Sequence, residues 1–234
     1  MAHRCGGTLA PENTLIGLEL AVAHHCAAVE FDVMLSGSSS PILIHDETLQ
    51  RTTDGRGSVA DTPDETLFAL DAGSWKSPSF AGQRIPRLAE TLERCAALGL
   101  AVNAEIKPAS GSDVATGHAA AAMCAQFAAR IPFLLSSFSV AALEAAREIA
   151  RDLPRALLVE RIPADWAEQA SALGLDGFVC NTRHLTQQTT RALRARGLGL
   201  AVYTENDPAR ATTLFAWGVQ SVITDRPDRV RQPA

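Results

Sequence analysis

The sequence lacks the long apolar runs that a membrane protein needs. None of its 234 residues belongs to a run approaching the ~20 apolar residues of a transmembrane helix, and the first residues, MAHRCGG, contain no apolar signal-peptide region. The cysteines are scattered and form no CxxC pair, so a zinc site built from them is not expected. We therefore expect a cytoplasmic protein with reduced thiols and no integral membrane segment.

An excess of positive charge is also missing. Lys and Arg total 21 against 26 Asp and Glu, which gives a net charge of −5 and a pI of about 5.7. General nucleic-acid binders usually show a basic face, so nucleic acid is not expected as a partner. No GxGxxG follows an apolar strand, which argues against a dinucleotide-binding sheet. Any anion site should therefore be local and built from a few cations or a metal.

What the sequence does contain, from residue 99 onward, is a regular alternation. Apolar runs and Ala-rich or amphipathic stretches of helical length follow one another, and Gly174, Gly197 and Gly218 end three of the stretches, where a helix C-cap favours glycine. Apolar strands that alternate with helices indicate a parallel sheet covered by helices. The predicted strands are 98–107, 132–138, 155–160, 177–181, 198–204 and 219–225, and the predicted helices are 113–129, 139–151, 164–173, 186–196 and 207–217.

The first third of the chain completes an eight-strand pattern. It adds a short strand at 2–4, a helix over about 13–25 and a strand at 28–35. Eight βα units in a chain of this length predict a single α/β domain over 1–234, a (β/α)₈ TIM barrel, with an open doubly wound sheet as the alternative. Residues 46–87 break the rhythm and predict a small insertion after the second strand, near the barrel mouth. PILIHD is predicted to pair back on the second strand as a hairpin across SGSSS.

Charged residues interrupt two of the apolar strands with the same spacing. Glu30 and Asp32 lie two apart in AVEFDVMLSG, and Glu105 and Lys107 lie two apart in VNAEIK. Residues i and i+2 of a strand point to the same side, so each pair shares one face. The C-terminal ends of barrel strands carry the active site. The other strand ends and the hairpin end contribute His3, Arg4, His45, Asp46, Ser136, Ser137, Glu160, Asn181, Tyr203, Glu205, Thr224 and Asp225.

Three of these carboxylates predict a metal site. Glu30, Asp32 and Glu105 have no soft ligand beside them, and hard oxygen donors suit one divalent cation, Mg²⁺ or Ca²⁺. Without a cation the carboxylates would repel each other and raise their own pKa values. The structural alternative for a single strand acid is the solvent-facing side of the sheet.

Two cations and two histidines lie beside the predicted metal site. Arg4 can bind phosphate oxygens bidentately, and Lys107 adds positive charge, although it could simply neutralise Glu105. His3 and His45 would then flank an anion site, as general acid–base chemistry on a phosphate ester requires. The remaining histidines lie on predicted helices or loops and are expected to be surface or packing residues. Asp225 has the alternative role of a helix N-cap before proline.

Taken together, these residues resemble the glycerophosphodiester phosphodiesterase family. The similarity spans nearly the whole chain and depends on the combination of motifs rather than on any one of them. The matching segments are His3-Arg4, APENT (10–14), EFDV (30–33), IHDETLQRTTDGRG (44–57), IPRLAETL (85–92), NAEIKP (103–108) and VITDRPD (222–228).

The resemblance implies a TIM barrel with an insertion after the second strand and hydrolysis of glycerophosphodiesters to glycerol 3-phosphate and an alcohol, with Mg²⁺ or Ca²⁺. It implies that His3 is the general base and His45 the general acid, in an order that the sequence leaves open. A cyclic phosphate formed by the glycerol 2-hydroxyl is the implied intermediate, and direct attack by water is the alternative. By position, the implied metal ligands are Glu30, Asp32 and Glu105. The implied phosphate-binding cations are Arg4 and Lys107. Glu12 is implied to join the metal shell or to bind the glycerol hydroxyls, and Asn13 to orient its loop.

Three departures from the family pattern concern the shape of the site. Cys5 replaces the family's glycine and is expected to narrow or reshape the pocket, and SGSSS replaces the usual turn. Tyr203 replaces the family's tryptophan and is expected to pack on the glycerol carbons, while Glu205 could either recognise a cationic head group or cap the next helix.

Two other functions stay open. A lysophospholipase D-type enzyme would need an apolar platform, for which Phe68, Trp75 and Phe80 in the insertion are the candidates. A binding protein without activity is disfavoured because no catalytic group is missing. The expected partner is a small glycerophosphodiester substrate, and a homodimer is left open.

Overall fold

The predicted parallel sheet is present and curls into a barrel. The computed structural model describes residues 1–231. The strands are hydrogen-bonded in the order β2-β1-β3-β4-β5-β6-β7-β8, and all neighbouring pairs are parallel except β1–β2. They are β1 (Ala28–Leu35), β2 (Pro41–Leu43), β3 (Ala101–Ile106), β4 (Phe133–Ser137), β5 (Arg155–Val159), β6 (Gly177–Asn181), β7 (Gly199–Tyr203) and β8 (Ser221–Val222).

The first residues of the chain close this sheet. Ala2 forms one parallel bridge to Val29 in β1 and a second to Thr224, just after β8. The strand predicted at 2–4 is therefore only a short bridge, because Arg4 and Cys5 adopt positive φ angles of 48° and 73° and turn the chain away. The closure confirms the TIM-barrel prediction and excludes the open sheet.

The predicted hairpin is also confirmed. β2 runs antiparallel to the C-terminal half of β1, with Leu35 opposite Pro41. The serines of the SGSSS turn have a structural role, since the hydroxyls of Ser36 and Ser40 donate to the two carboxylate oxygens of Asp64 at 2.5 and 2.6 Å. The turn is thereby tied to the segment that follows β2.

The helices follow the strands as the sequence pattern predicts. All six predicted helices are present, with ends up to four residues from the predicted ones, and α3 and the short α2 are additional. Gly174 and Gly218 are C-caps with positive φ, whereas Gly197 lies one residue beyond its C-cap. No helix within residues 1–231 combines the length and apolarity of a membrane span. The helices are α1 (Leu15–Ala23), α2 (Asp64–Leu67), α3 (Leu88–Leu98), α4 (Asp113–Ala125), α5 (Val140–Ile149), α6 (Trp166–Leu173), α7 (Gln187–Ala195) and α8 (Pro208–Trp217).

Alternation along β1 separates the helix-facing core from the barrel interior. Val29, Phe31 and Val33 join a buried cluster with residues of α1, α3 and α4, while Glu30 and Asp32 point to the other side. In the second half of the barrel the interior positions are apolar and form a cluster of their own. Its buried members are Ala156, Leu158, Val179, Ala201 and Ile223.

The segment between β2 and α3 has little regular structure but has its own core. Beyond α2 it contains one 3₁₀ turn, Pro78–Phe80. Leu49, Val59 and Leu67 are buried in a cluster that also includes Met34 of β1. The single-domain assignment and the insertion over 46–87 stay predictions, consistent with this packing.

Candidate active site

Three carboxylates meet inside the barrel, two from β1 and one from the C-terminal end of β3. In the parallel register Asp32 lies beside Glu105, and Glu30 lies beside Asn103. Glu30, Asp32 and Glu105 each offer one oxygen, and these atoms lie within 4.8 Å of one another. Glu30 is 2% and Asp32 is 1% exposed, so they point to the interior as predicted and not to solvent.

The electrostatics of this group fit a hard divalent cation. Burial is the main cause that raises the pKa of Glu30 to about 7; His3 opposes this shift and Asp32 adds to it. Burial, followed by the charges of Asp32 and Glu30, raises the pKa of Glu105 well above its usual range. Oε1 of Glu30 is buried and has no hydrogen-bond partner among the described residues. A cation with oxygen ligands would satisfy this atom and remove the repulsion.

His3 stands beside the carboxylates on the closing segment of the barrel. Its Nδ1 lies 2.6 Å from Oδ1 of Asp225, and its Nε2 lies 3.8 Å from Oε2 of Glu30. Burial alone would lower the pKa of His3, but the bond to Asp225 and the charge of Glu30 raise it. Hydrogen bonding to His3 lowers the pKa of Asp225, which stays an acceptor and fixes the proton on Nδ1. The Nε2 atom is left for the cavity.

His45 repeats this arrangement in the same cavity. Its Nδ1 lies 2.6 Å from Oδ1 of Asp46, so the carboxylate again holds the ring. The pKa of His45 is lowered, chiefly by burial. The charge of Asp32 opposes this shift, and the charge of Arg4 adds to it. The structure therefore brings His3 and His45 together, each oriented by an acid.

Arg4 and its neighbours provide the cationic side. Nη1 of Arg4 donates to Oε1 of Glu12 at 2.9 Å, and Nε lies 3.6 Å from Oδ2 of Asp32. The Arg4 backbone N–H donates to Oε2 of Glu30 at 2.9 Å. Arg4 thus contacts the carboxylate group through both its backbone and its side chain. Lys107 Nζ lies 3.8 Å from Oε1 of Glu105.

The PENT residues support the site from outside the main cavity. Glu12 pairs with Arg4 and is not part of the three-carboxylate group. Asn13 makes two bonds with Asp32: its Nδ2 donates to Oδ2 at 2.9 Å, and its Oδ1 accepts from the backbone N–H at 3.2 Å. Asn13 does this with a positive φ of 54°, a left-handed conformation in which asparagine is enriched over most other residues.

A cavity of about 260 Å³ joins these groups. Tyr203 lines it, its hydroxyl donates to the Val159 carbonyl at 3.1 Å, and its ring meets Phe138 edge to face at 6.0 Å. The cavity therefore has a charged side from the first strands and an apolar side from the later ones. Its lining is His3, Arg4, Glu30, Asp32, His45, Asn103, Glu105, Lys107, Phe138, Leu158, Tyr203, Thr204 and Ile223.

The sequence placed Asp46 and Asp225 at the ends of the hairpin and of the last strand without a role in catalysis, and it did not single out Arg51 or Asn103. Asp225 and Asp46 hold the histidines, Arg51 contacts Asp46, and Asn103 lines the cavity. Asp46 and Arg51 stood within the quoted IHDETLQRTTDGRG motif and Asp225 within VITDRPD, so the signal was present. The hypothesis that Asp225 caps a helix is wrong.

Three other expectations change with the structure. Cys5 is fully buried in the helix-facing core and does not line the cavity, so it does not narrow it. Glu205 accepts from the backbone N–H groups of Asn206 and Asp207 at 3.0 and 2.9 Å, whereas the N-cap of α8 is Asp207, whose carboxylate accepts from the Ala209 N–H. The proposed platform residues Phe68, Trp75 and Phe80 do not line the cavity.

Comparison with known proteins shows which sequences and structures this chain is similar to. The sequence model of the glycerophosphoryl diester phosphodiesterase family matches residues 3–229. The YhdW protein of Bacillus subtilis (strain 168) is 32% identical, with 97% of this chain and 94% of the relative covered. A glycerophosphodiester phosphodiesterase of Caldanaerobacter subterraneus subsp. tengcongensis is 31% identical with the same coverage. A phosphodiesterase of Oleispira antarctica, solved with the product sn-glycerol-3-phosphate, superposes with a TM-score of 0.91 at 35% identity, covering 98% of this chain and 93% of that one.

Proposed function

The chain belongs to the glycerophosphoryl diester phosphodiesterase family, and we propose that it hydrolyses glycerophosphodiesters such as glycerophosphocholine and glycerophosphoethanolamine to sn-glycerol 3-phosphate and an alcohol. The observation that carries this proposal is one cavity that joins two acid-held histidines, Arg4 and three carboxylates. The product found in the Oleispira antarctica relative supports the choice of glycerol 3-phosphate.

We infer that Glu30, Asp32 and Glu105 hold one divalent cation, Mg²⁺ or Ca²⁺. Their clustered oxygens, the raised pKa values and the unpartnered Glu30 oxygen support this assignment. When bound, the cation supplies positive charge that stabilises the phosphate oxygens in the transition state.

The protein residues then divide the remaining work. Arg4 and Lys107 bind the phosphodiester, with the Arg4 guanidinium held by Glu12. His3 takes the proton of the glycerol 2-hydroxyl, whose oxygen attacks phosphorus and forms a cyclic phosphate. His45 donates a proton to the leaving alcohol as its phosphorus–oxygen bond breaks. In the second half, His45 takes a proton from water, which opens the ring, and His3 returns a proton to the 2-oxygen.

The function is tested on a panel of glycerophosphodiesters with and without chelator, followed by metal add-back. We expect hydrolysis that disappears on chelation and returns with Mg²⁺ or Ca²⁺. Activity that survives thorough chelation would rule out the metal assignment, and near wild-type turnover of His45→Ala on glycerophosphocholine would rule out its catalytic role.

The order of the two histidines is tested with a substrate whose leaving group departs without a proton, such as p-nitrophenolate. If His45 is the acid, His45→Ala should retain more activity on that substrate than on glycerophosphocholine, while His3→Ala should be impaired on both. The opposite pattern would reverse the assignment. A cyclic glycerol phosphate seen by ³¹P NMR would support attack by the 2-hydroxyl in the first half-reaction. Hydrolysis without this intermediate would favour direct attack by water.

A lysophospholipase D-type activity is the second candidate. Phe138 favours it, since this ring is 53% exposed at the cavity, where an acyl chain could contact it. Turnover of lysophosphatidylcholine above that of glycerophosphocholine would support this alternative.

The location and assembly of the protein also remain proposals. We propose a cytoplasmic enzyme because all five cysteines are free thiols. The homodimer stays a prediction that sedimentation analysis would check.

A further inference from the structure

Arg51 links His45 to Arg4 through two carboxylates. Its Nε and Nη2 donate to Oδ2 and Oδ1 of Asp46 at 2.6 and 2.9 Å, and its Nη1 and Nη2 donate to Oε2 and Oε1 of Glu12, both at 2.7 Å. Oδ1 of Asp46 also accepts from His45 Nδ1, and Oε1 of Glu12 also accepts from Arg4 Nη1. One chain of hydrogen bonds therefore runs from His45 to Arg4 through Arg51.

The turn that carries Arg51 is fixed by its own backbone. Leu49 is 1% exposed, and its N–H donates to the Gly57 carbonyl at 3.0 Å. The Thr53 hydroxyl donates to the Leu49 carbonyl at 2.7 Å and accepts from the Gly55 N–H at 3.0 Å. The guanidinium therefore projects from an anchored turn and not from a loose one.

We propose that Arg51 is a positioning residue of the reaction. It holds His45 by way of Asp46, and it holds Arg4 by way of Glu12. The distance between the proton-transferring histidine and the phosphate-binding arginine is thereby fixed. Arg51 does not line the cavity and would act only through these neighbours. The proposal rests on the proposed function, because His45 and Arg4 have their roles only in that reaction.

The chemistry of the side chain supports this role. A planar guanidinium can bond two carboxylates along two of its edges, whereas an ammonium is a point charge without that fork. The Arg51 side chain is 43% exposed, and exposed ion pairs contribute little to stability. A displacement of about 1 Å in a reacting group, however, can lower a rate about 100-fold. A positioning role thus predicts a large effect on kcat with a small effect on unfolding.

The first experiment compares Arg51→Met and Arg51→Lys with a matched control. Arg130→Met is the control, since Arg130 makes a similar bidentate pair with Glu93 at 3.0 and 2.9 Å, away from the cavity. With the cation at saturation, kcat and KM for glycerophosphocholine and the Tm are measured. We expect Arg51→Met to lower kcat about 10- to 100-fold with little change in Tm, Arg51→Lys to recover part of the loss, and Arg130→Met to match wild type.

A second measurement asks whether Arg51 acts through the two carboxylates. In an Asp46→Ala/Glu12→Ala background, Arg51→Met should lower kcat by less than about threefold, because the acceptors of its hydrogen bonds are already gone. Three results would overturn the proposal: an Arg51→Met kcat like that of wild type, an equal loss in Arg130→Met, or a full Arg51→Met loss in the double background.

A third readout needs no turnover. The hydrogen-bonded Nδ1 proton of His45 is followed by NMR and assigned by its absence in His45→Gln. It should shift or broaden in Arg51→Met and stay unchanged in Arg130→Met. If wild type hydrolysed no glycerophosphodiester, the proposed function would fail, and this signal would still show whether Arg51 positions the His45 ring. An unchanged signal in Arg51→Met would overturn it.

Discussion

Two arginines near opposite ends of the barrel, Arg4 and Arg155, are held in opposite ways. At the mouth, the Arg4 side chain is 21% exposed, faces the cavity and has carboxylates as its neighbours. At the opposite end Arg155 opens β5, is 5% exposed and has backbone carbonyls as its partners. Its Nη1 donates to the carbonyls of Arg151 and Leu153 at 3.0 and 2.8 Å, and its Nη2 donates to that of Gly174 at 3.1 Å.

The difference shows how the same side chain serves binding at one end and structure at the other. Arg155 ties the loop before β5 to the C-cap of α6, so its hydrogen bonds are used within the protein. Arg4 stands in a region that concentrates like charges and positive φ angles, features that cost stability. We therefore expect substitutions at the mouth to change activity and substitutions at the opposite end to change stability.

The largest expected effect is the loss of activity in Arg4→Met. Removing one preorganised donor to a phosphate transition state typically costs about 10²–10³ in rate. With the cation present, the Tm should change less than it does in Arg155→Met. Steady-state kinetics on glycerophosphocholine and thermal unfolding check both parts. If Arg4→Met kept its activity but had a lowered Tm, Arg4 would have a structural role like that of Arg155, and the comparison would be wrong.

Arg155→Met should show the opposite pattern. It leaves three buried or partly buried carbonyls without their donor, and unsatisfied groups of this kind should lower the free energy of unfolding by about 2–4 kcal/mol. At a temperature where the variant is folded, its kcat/KM should equal that of wild type. Denaturant unfolding and kinetics measure the two quantities, and a selective loss of kcat without destabilisation would count against the comparison.

Cation binding at the mouth should stabilise the folded protein, whatever residue stands at position 155. A ligand that binds only the folded state at about 100 times its Kd adds about 2.7 kcal/mol to the free energy of unfolding. Mg²⁺ or Ca²⁺ should therefore raise the Tm of wild type and of Arg155→Met similarly, and the rise should shrink in Glu30→Gln. Thermal unfolding with and without chelator tests this. An equal rise in Glu30→Gln would place the cation elsewhere.

Cys5→Gly should have the smallest effect. Glycine relieves the positive φ of 73°, and it also removes a fully buried side chain. The two changes are each on the order of 1 kcal/mol and oppose one another, so the net change in unfolding free energy should stay below about 1 kcal/mol. Because Cys5 does not line the cavity, kcat/KM should stay at the wild-type value. A change in kcat/KM would show that this position shapes the pocket after all.

The sequence predicted the parts of the molecule that depend on local patterns. The two-residue spacing of Glu30 and Asp32 predicted a shared interior face, and the alternation of strands and helices predicted the barrel. α3 was missed although Leu88, Leu92 and Cys95 form a buried face at helical spacing. Here the signal was present and was not used.

Other features could not be predicted because they depend on contacts between distant segments. Asp225 reaches His3 across 222 positions of the chain, and only barrel closure brings them together. Arg155 begins an apolar strand, which places it at the end of the barrel opposite the mouth, but its contact with the Gly174 carbonyl forms only when the chain folds. The difference between Arg155 and Arg4 is made by the groups that surround each side chain after folding.

Closure of the barrel by its first residues has a consequence for the folding reaction. His3 lies on the segment that bridges β1 and the end of β8, so it can meet Asp225 only when the two margins of the sheet join. Contacts of such large separation in sequence form slowly, because the entropy of loop closure must be overcome first. During refolding, helical circular dichroism should recover before catalytic turnover does. The appearance of turnover would then mark the final step at which the closed barrel forms.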